Sequence, residues 1–130
     1  MRAFRIVITS HGSLAAGLAA SAQMIVGQLS NVAVVALEPG MSLEQFDARL
    51  DAAIGSACAL VLCDLRGGTP HNRAQLAARR TRGSVCLAGA NLAMVLEAIT
   101  AEGELHPATV ARITAAGRSD IAKSGPRQAC

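Results

Sequence analysis

The side chains best suited to chemistry in this sequence are one histidine and one aspartate, each of which follows a short apolar segment. His11 lies in the segment Thr9–Ser13 (TSHGS), and Asp64 opens the segment Asp64–Asn72 (DLRGGTPHN). A carboxylate that accepts a hydrogen bond from one ring nitrogen of a histidine fixes its tautomer and leaves the other nitrogen free to attack. If the fold brings the two side chains together, they predict a nucleophilic histidine supported by a carboxylate.

The residues around this pair suit a bound anion. Glycine amides can approach a phosphate closely because no Cβ is in the way, and hydroxyls add further donors. These residues are Gly12, Gly67 and Gly68 together with the hydroxyl residues Ser13 and Thr69. Thr69 and the proline after it predict a helix N-cap, and the positive end of that helix would point at the same place. This set favours a phosphoryl-accepting histidine over a hydrolase.

Two other kinds of site were weighed against this interpretation. Ser10 and His11 are adjacent at a strand end and point to opposite sides, so they cannot form a nucleophile–base pair, and the sequence lacks a G-x-S-x-G motif. His11, Asp64 and His71 could in principle bind a metal, but His71 falls inside the predicted start of a helix. A Walker motif is also missing, so we expect no bound nucleotide, no metal and no other cofactor.

Four short apolar segments predict the strands that must position these residues. They are nearly uninterrupted and rich in branched side chains, which is typical of parallel strands covered on both faces. The segments are Arg5–Thr9 (RIVIT), Val32–Leu37 (VAVVAL), Ala59–Cys63 (ALVLC) and Val85–Ala88 (VCLA).

Segments of helical periodicity lie between and after these strands. Their starts carry helix signals, such as the capping box of a serine and a glutamine three residues later. The predicted helices are Ser13–Leu29, Ser42–Ala57, Thr69–Arg79, and two further helices that open at Asn91 and Pro107.

The order β-α-β-α-β-α-β-α-α predicts an α/β fold with an open, mostly parallel sheet between two layers of helices. A small sheet of this kind usually orders its strands 2-1-3-4, which places the carboxyl ends of strands one and three side by side. Ligands bind at such a switch point in strand order. The topology therefore predicts that His11 and Asp64 meet there.

The composition limits the possible classes of function. The chain has 130 residues, of which 52% are hydrophobic and 16% charged, which predicts one domain with a real core. Only 2% are aromatic, which argues against proteins that stack nucleic-acid bases on aromatic side chains. The net charge of +3 does not require a nucleic-acid partner, and we expect none.

The cellular location is predicted from what the sequence lacks. No apolar run approaches the roughly 18 residues that a membrane span requires, and the N-terminal run is too short for a signal peptide. The four cysteines, Cys58, Cys63, Cys86 and Cys130, show no metal-ligand spacing. We therefore expect a cytoplasmic protein with reduced thiols, the first three of which fill space in the core.

Three segments of the sequence resemble the mannose-family IIA component of the bacterial sugar phosphotransferase system. They are Ile6–Ser13 (IVITSHGS), Val61–Asn72 (VLCDLRGGTPHN) and Ala88–Glu97 (AGANLAMVLE), and the resemblance extends over essentially the whole chain. It implies a phosphotransferase that takes a phosphoryl group from the histidine-containing phosphocarrier protein. The group then passes to a IIB component, which phosphorylates sugar during uptake.

The resemblance also assigns roles to individual residues. The phospho-accepting histidine of the family matches His11, and its hydrogen-bonding aspartate matches Asp64. The glycine pair and the hydroxyl residue of the family match Gly67, Gly68 and Thr69.

The resemblance further implies a homodimer in which a C-terminal edge strand is exchanged between subunits. Residues around Ile121 could supply that strand. We therefore expect residues 1–130 to form a single IIA domain, with about 117–130 as an edge strand or tail. Contact with the membrane would occur only through the transporter partners.

Two positions depart from many relatives, and both are expected near the mouth of the site. Arg66 stands where many relatives have an aromatic or aliphatic residue, and His71 stands where many have phenylalanine. Arg66 could help to hold phosphate. Both departures affect the choice of donor or acceptor rather than the histidine–aspartate pair.

Two alternative functions remain open from the sequence. One is a regulatory protein of the same fold, whose phosphorylation state is sensed by partners without sugar transport. The other is a module that binds a small anion and never forms a phosphohistidine. The sequence does not indicate which sugar would be transported, because a IIA component does not contact the sugar.

Overall fold

The structure, a computed structural model that describes residues 1–129, has the alternating α/β order that the sequence predicts. The strands are β1 (Arg5–His11), β2 (Val32–Leu37), β3 (Ala59–Cys63) and β4 (Val85–Leu87). The helices are α1 (Leu14–Val26), α2 (Leu43–Ile54), α3 (Thr69–Ala78), α4 (Leu92–Thr100) and α5 (Pro107–Ser119). None of these helices is both long enough and apolar enough to cross a membrane.

The four strands form one parallel sheet in the order β2-β1-β3-β4, which confirms the predicted order. Thr9 of β1 pairs with Cys63, the last residue of β3. On the other side of β1, His11 pairs with Leu37 at the end of β2. The carboxyl ends of β1 and β3 are therefore neighbours, as a site at the switch point requires.

Successive residues of the strands pack against opposite layers of helices. Ile6 and Ile8 of β1 belong to a core cluster that α1, α4 and α5 cover, whereas Val7 belongs to a second cluster that α2 and α3 cover. The alternation follows from the two-residue period of a strand. The sheet is thus buried on both faces, and every residue of β3 is buried.

The helix starts largely follow the predicted capping residues. Ser42 and Gln45 form the predicted capping box at the start of α2. The side chain of Asn91 accepts a hydrogen bond from the backbone of Met94 at the start of α4. The predicted N-cap at Thr69 is wrong by one residue, because Thr69 is already helical and its N-cap is glycine.

The edge strand predicted around Ile121 is not formed within the described chain. Residues 121–129 adopt no regular structure, and the side chain of Ile121 is 82% exposed. Ile121 is the one large apolar residue in a polar segment that also holds Gly125 and Pro126, so little apolar burial is available to fix a strand register. Cys130 lies outside the described residues.

Candidate functional site

His11 and Asp64 are in direct contact at the switch point of the sheet. The Nδ1 atom of the His11 ring lies 2.8 Å from Oδ2 of Asp64. The same carboxylate oxygen also accepts a hydrogen bond from the backbone N–H of His11, at 3.0 Å. These two bonds fix the imidazole ring relative to the carboxylate.

The surroundings keep the carboxyl group of Asp64 ionised. Its side chain is only 10% exposed, and this burial raises its pKa. The hydrogen bonds from the His11 ring and from the backbone N–H of His11, together with the nearby backbone N–H of Leu65, lower the pKa further than burial raises it. Their combined effect holds the pKa of Asp64 below its ordinary value, so Asp64 acts as a hydrogen-bond acceptor.

This acceptor determines which nitrogen of His11 is reactive. An ionised carboxylate accepts a hydrogen bond from Nδ1–H, so Nε2 carries the free lone pair. Among residues 1–129 the ring is hydrogen-bonded through Nδ1, and half of the His11 side chain is exposed. Within residues 1–129 the second oxygen of Asp64 is buried without a hydrogen-bond partner, and a buried carboxylate of this kind favours positive charge on the ring. The free lone pair of Nε2 therefore lies on a half-exposed ring.

Gly68 packs directly against the ring of His11. A Cβ built at Gly68 would lie 2.9 Å from Cε1 of His11 and 3.3 Å from the carbonyl oxygen of Leu65. The φ of Gly68 is −71°, which any residue can adopt. Glycine is required here by the space beside the ring rather than by the backbone conformation.

The amides of the three site glycines are already used as donors. The amide of Gly12 donates to the Leu37 carbonyl, and the amide of Gly68 donates to the Leu65 carbonyl. The amide of Gly67 donates to Nδ1 of His71. In this conformation none of the three amides is available to an anion. The contact between these glycine amides and a phosphate, which the sequence predicts, is therefore not available in this conformation.

The remaining polar groups near His11 are at two helix ends. Helix α1 begins three residues after His11, and α3 begins at Thr69, directly after the glycine that contacts the ring. The first N–H groups of a helix lack intrahelical acceptors and favour a negative charge. Ser13, the N-cap of α1, makes no side-chain capping bond with the described residues, and Arg66 is exposed. These groups suit an anion bound at Nε2.

Ser10 supports the site in a way that the sequence analysis missed. Its side chain is fully buried, and its Oγ accepts a hydrogen bond from the backbone N–H of Ala15 at 2.7 Å. Ser10 thereby satisfies a donor in the first turn of α1, although it lies four residues before the helix begins. The sequence does show a serine shortly before the helix, but the rules for helix capping consider only the residue next to the first helical residue.

His71 does not join His11 and Asp64. Its Nδ1 accepts the Gly67 amide, and its Nε2 lies 2.8 Å from the side-chain amide nitrogen of Gln75. Within the part of the chain that the structure describes, no three His, Cys, Asp or Glu side chains are grouped closely enough to hold a metal ion. His71 instead links the loop of Gly67 to the first turns of α3.

The fold and the site together define a class of small α/β domain. In this class a parallel sheet of order 2-1-3-4 carries a carboxylate-supported histidine between two helix N-termini. A family model described as "PTS system fructose IIA component" (EIIA-man) matches residues 5–114. The chain belongs to this mannose-type IIA family of the phosphotransferase system.

Similar proteins are found among both sequences and solved structures. The mannose-specific EIIAB component of Escherichia coli K12 is 30% identical over 103 residues, which are 76% of this chain and 32% of that protein. The chain thus spans about a third of the length of that relative. A mannose/sorbose-specific IIA subunit from Enterococcus faecalis is 34% identical, with a TM-score of 0.88 and full coverage of both chains. EIIA from Streptococcus agalactiae is 27% identical, with a TM-score of 0.84 and coverage of 95% and 97%.

Proposed function

We propose that this chain is a phosphohistidine carrier of a sugar phosphotransferase system. Nε2 of His11 accepts a phosphoryl group from the histidine-containing phosphocarrier protein and passes it to a IIB component. The observation that carries this proposal is the 2.8 Å contact between Nδ1 of His11 and Asp64, which leaves the lone pair of Nε2 free on a half-exposed ring. Membership of the mannose-type IIA family supports the same reaction.

The transfer exchanges one phosphorus–nitrogen bond for another. As the bond to the donor imidazole breaks, its electron pair stays with the donor nitrogen, and the lone pair of Nε2 forms the new bond. The His11 ring then becomes more positive, and Asp64 stabilises that charge through Nδ1–H. We propose that Ser13, Arg66, Thr69 and the N-termini of α1 and α3 bind the phosphoryl oxygens.

Exposed leucines near His11 suit the docking of a protein donor. Leu14 opens α1, Leu43 opens α2, and Leu65 follows Asp64, so all three lie at the carboxyl edge of the sheet. Each is at least half exposed. We propose that the phosphocarrier protein and the IIB component cover this edge in turn, in modest and transient interfaces.

The assembly and location of the carrier are further parts of this proposal. We propose that residues 1–130 act as one IIA domain in the cytoplasm and reach the membrane only through transporter partners. The homodimer that the resemblance implies stays a prediction. In this homodimer the exchanged C-terminal strand would pair with the outer edge of β4. A cavity of about 170 Å³ lies beside that edge, and its lining includes Met94 and Ile121.

Intact mass measurement tests the proposal directly. The protein is incubated with phosphoenolpyruvate, enzyme I and the phosphocarrier protein, and a IIB component is added in a second step. We expect the gain of one acid-labile phosphoryl group and its loss to IIB. Retention of the group in the presence of an active IIB would support the regulatory alternative. No gain with native donors that phosphorylate another acceptor would contradict the proposal and favour the small-anion module.

Gly68→Ala is expected to slow phosphoryl acceptance while leaving the fold stable. The added Cβ would displace the His11 ring, and a misplacement of this kind costs roughly 10- to 100-fold in rate. Gly67→Ala is the matched control, because its φ of +79° strains alanine by about 1 kcal/mol while no atom lies within 4 Å. Transfer rates and urea unfolding of both variants check the prediction. Equal rates for Gly68→Ala and the wild type would contradict it.

Arg66→Leu is expected to change transfer rates more than stability. Arg66 is exposed in the loop before α3, and losing one charge-assisted contact of roughly 1 kcal/mol slows transfer about threefold to tenfold. The free energy of unfolding should change by less than about 0.5 kcal/mol. Arg79→Leu, at the other end of α3, is the control. Rates unchanged with every donor and acceptor would count against a role for Arg66.

A further inference from the structure

Cys63 and Cys86 form a thiol pair beside the site that the proposed chemistry does not use. Their sulfur atoms lie 3.3 Å apart. We propose that a hydroperoxide converts this pair into a reversible disulfide that slows phosphoryl acceptance at His11. The consequence for His11 rests on the proposed function, whereas the disulfide itself does not.

The two thiols differ in their access to solvent. Cys63 is fully buried at the end of β3, whereas Cys86 is partly buried in β4. Cys86 lines a surface cavity of about 370 Å³, together with His71, Gln75 and Ser84. A small oxidant can therefore reach Cys86 first, and Cys63 lies behind it.

The difference in access also assigns the roles of the two thiols, and their contact supports that assignment. The two sulfur atoms are within hydrogen-bonding distance, and this contact lowers the pKa of Cys86. The same contact, together with burial, raises the pKa of Cys63. Because Cys86 lines the surface cavity and Cys63 is fully buried, Cys86 is the residue that attacks and Cys63 is the one that resolves; the lowered pKa of Cys86 agrees with this order, since the thiolate is the reactive form of cysteine.

Each step of the oxidation balances. The Cys86 thiolate attacks one oxygen of hydrogen peroxide, the O–O bond breaks, and a sulfenic acid and hydroxide form. The sulfur of Cys63 then attacks the sulfenyl sulfur, its proton leaves with the departing hydroxyl as water, and the S–S bond forms. The two thiols are oxidised by two electrons, and the peroxide is reduced to two waters once the hydroxide takes up a proton.

The sheet register makes this disulfide strained. The direct partner of Cys86 on β3 is Val61, so Cys63 is its diagonal neighbour two residues further on. Parallel strands lie roughly 4.8 Å apart and rise about 3.3 Å per residue, so this diagonal places the two Cα atoms roughly 8 Å apart, whereas relaxed disulfides need about 4.4–6.8 Å. Forming the bond therefore pulls the ends of β3 and β4 together, and strained disulfides are readily reduced again.

The strand end that must move carries the carboxylate of the site. Asp64 follows Cys63 directly, and the carbonyl of Cys63 accepts the backbone N–H of Ala90 from the loop after β4. Displacement of this strand end shifts Asp64 relative to His11. A shift near 1 Å in such a site costs about 100-fold in rate, so we expect acceptance to fall at least about tenfold.

The test compares peroxide-treated and reduced protein, using the full chain. We expect treated wild type to lose two hydrogens by intact mass, with the crosslink mapped to Cys63 and Cys86 by peptide analysis. Its rate of phosphoryl acceptance should fall, and dithiothreitol should restore both mass and rate. Cys58→Ser is the matched control and should behave as wild type, whereas Cys86→Ser and Cys86→Ala should form no such crosslink and keep their rate.

Three results would overturn this inference. They are the absence of a crosslink between Cys63 and Cys86, a crosslink without change in acceptance, and an equal loss of rate in treated Cys86→Ser. Failure of the proposed function is distinguishable, because reduced wild type would then gain no phosphoryl group at all. In that case intact mass still measures the crosslink, and a shift of the His11 ring signals in NMR spectra reports the displacement of Asp64 relative to His11.

Discussion

Replacing His11 by alanine is expected to abolish phosphoryl acceptance. Nε2 of His11 is the nucleophile in the proposed transfer, and alanine offers no atom that can form the phosphorus–nitrogen bond. The variant should remain folded, because half of the His11 side chain is exposed and the core clusters do not include it. Intact mass after incubation with phosphoenolpyruvate, enzyme I and the phosphocarrier protein measures the result.

The two other histidines provide controls for this experiment. His71→Ala removes the acceptor of the Gly67 amide, and His106→Ala removes an exposed side chain at the start of α5. Both variants should still gain one phosphoryl group. Undiminished acceptance by a well-folded His11→Ala protein would show that the site has been placed at the wrong residue.

The contact between His11 and Asp64 was predictable from the sequence because topology determines it. In any sheet of order 2-1-3-4, the carboxyl ends of strands one and three meet at the switch point. In this sequence both of these strands are followed by polar residues. The pairing of Thr9 with Cys63 then places the residues beyond them side by side. No detail of side-chain packing is needed for that inference.

The partners of individual backbone amides were not predictable in the same way. The sequence shows that Gly12, Gly67 and Gly68 lack a Cβ, but it does not show which acceptor each amide meets. The Gly67 amide donates to His71, a residue that the sequence analysis considered only as a possible metal ligand and as a departure at the mouth of the site. The role of Gly68 likewise depends on a distance of 2.9 Å to Cε1 of His11, which only coordinates supply.

Asp64→Asn is expected to slow the transfer without removing it. Asparagine keeps an oxygen that can accept hydrogen bonds from His11, but it loses the charge that, in the proposed transfer, stabilises the more positive phosphorylated ring. A hydrogen bond to a charged group contributes about 1.5–3 kcal/mol, which corresponds to roughly 10- to 100-fold in rate. Asp64→Ala should be slower still. Rates of phosphoryl acceptance measure both effects.

A second aspartate serves as the control for charge removal. Asp47 of α2 is paired with Arg73 of α3, and this hydrogen bond lowers the pKa of Asp47 as well. Asp47→Asn therefore removes a paired carboxylate outside the candidate site and should leave the rate of transfer unchanged. If both variants slowed transfer equally, the effect would come from lost stability rather than from the charge beside His11.

Comparing the wild type with Asp64→Asn also tests how the stability of the protein depends on pH. The folded-state pKa of Asp64 lies below its unfolded value of about 3.9, so folding favours the ionised form. That contribution is fully present above the unfolded pKa and is lost as the pH falls through the folded pKa. The free energy of unfolding of the wild type should therefore exceed that of Asp64→Asn by a constant amount near neutral pH, and the gap should narrow below about pH 4. Urea unfolding at a series of pH values measures this gap. A gap that stayed constant into acid would mean that the ionisation of Asp64 is not coupled to folding, and the carboxylate would then lose its assigned role in holding the His11 tautomer.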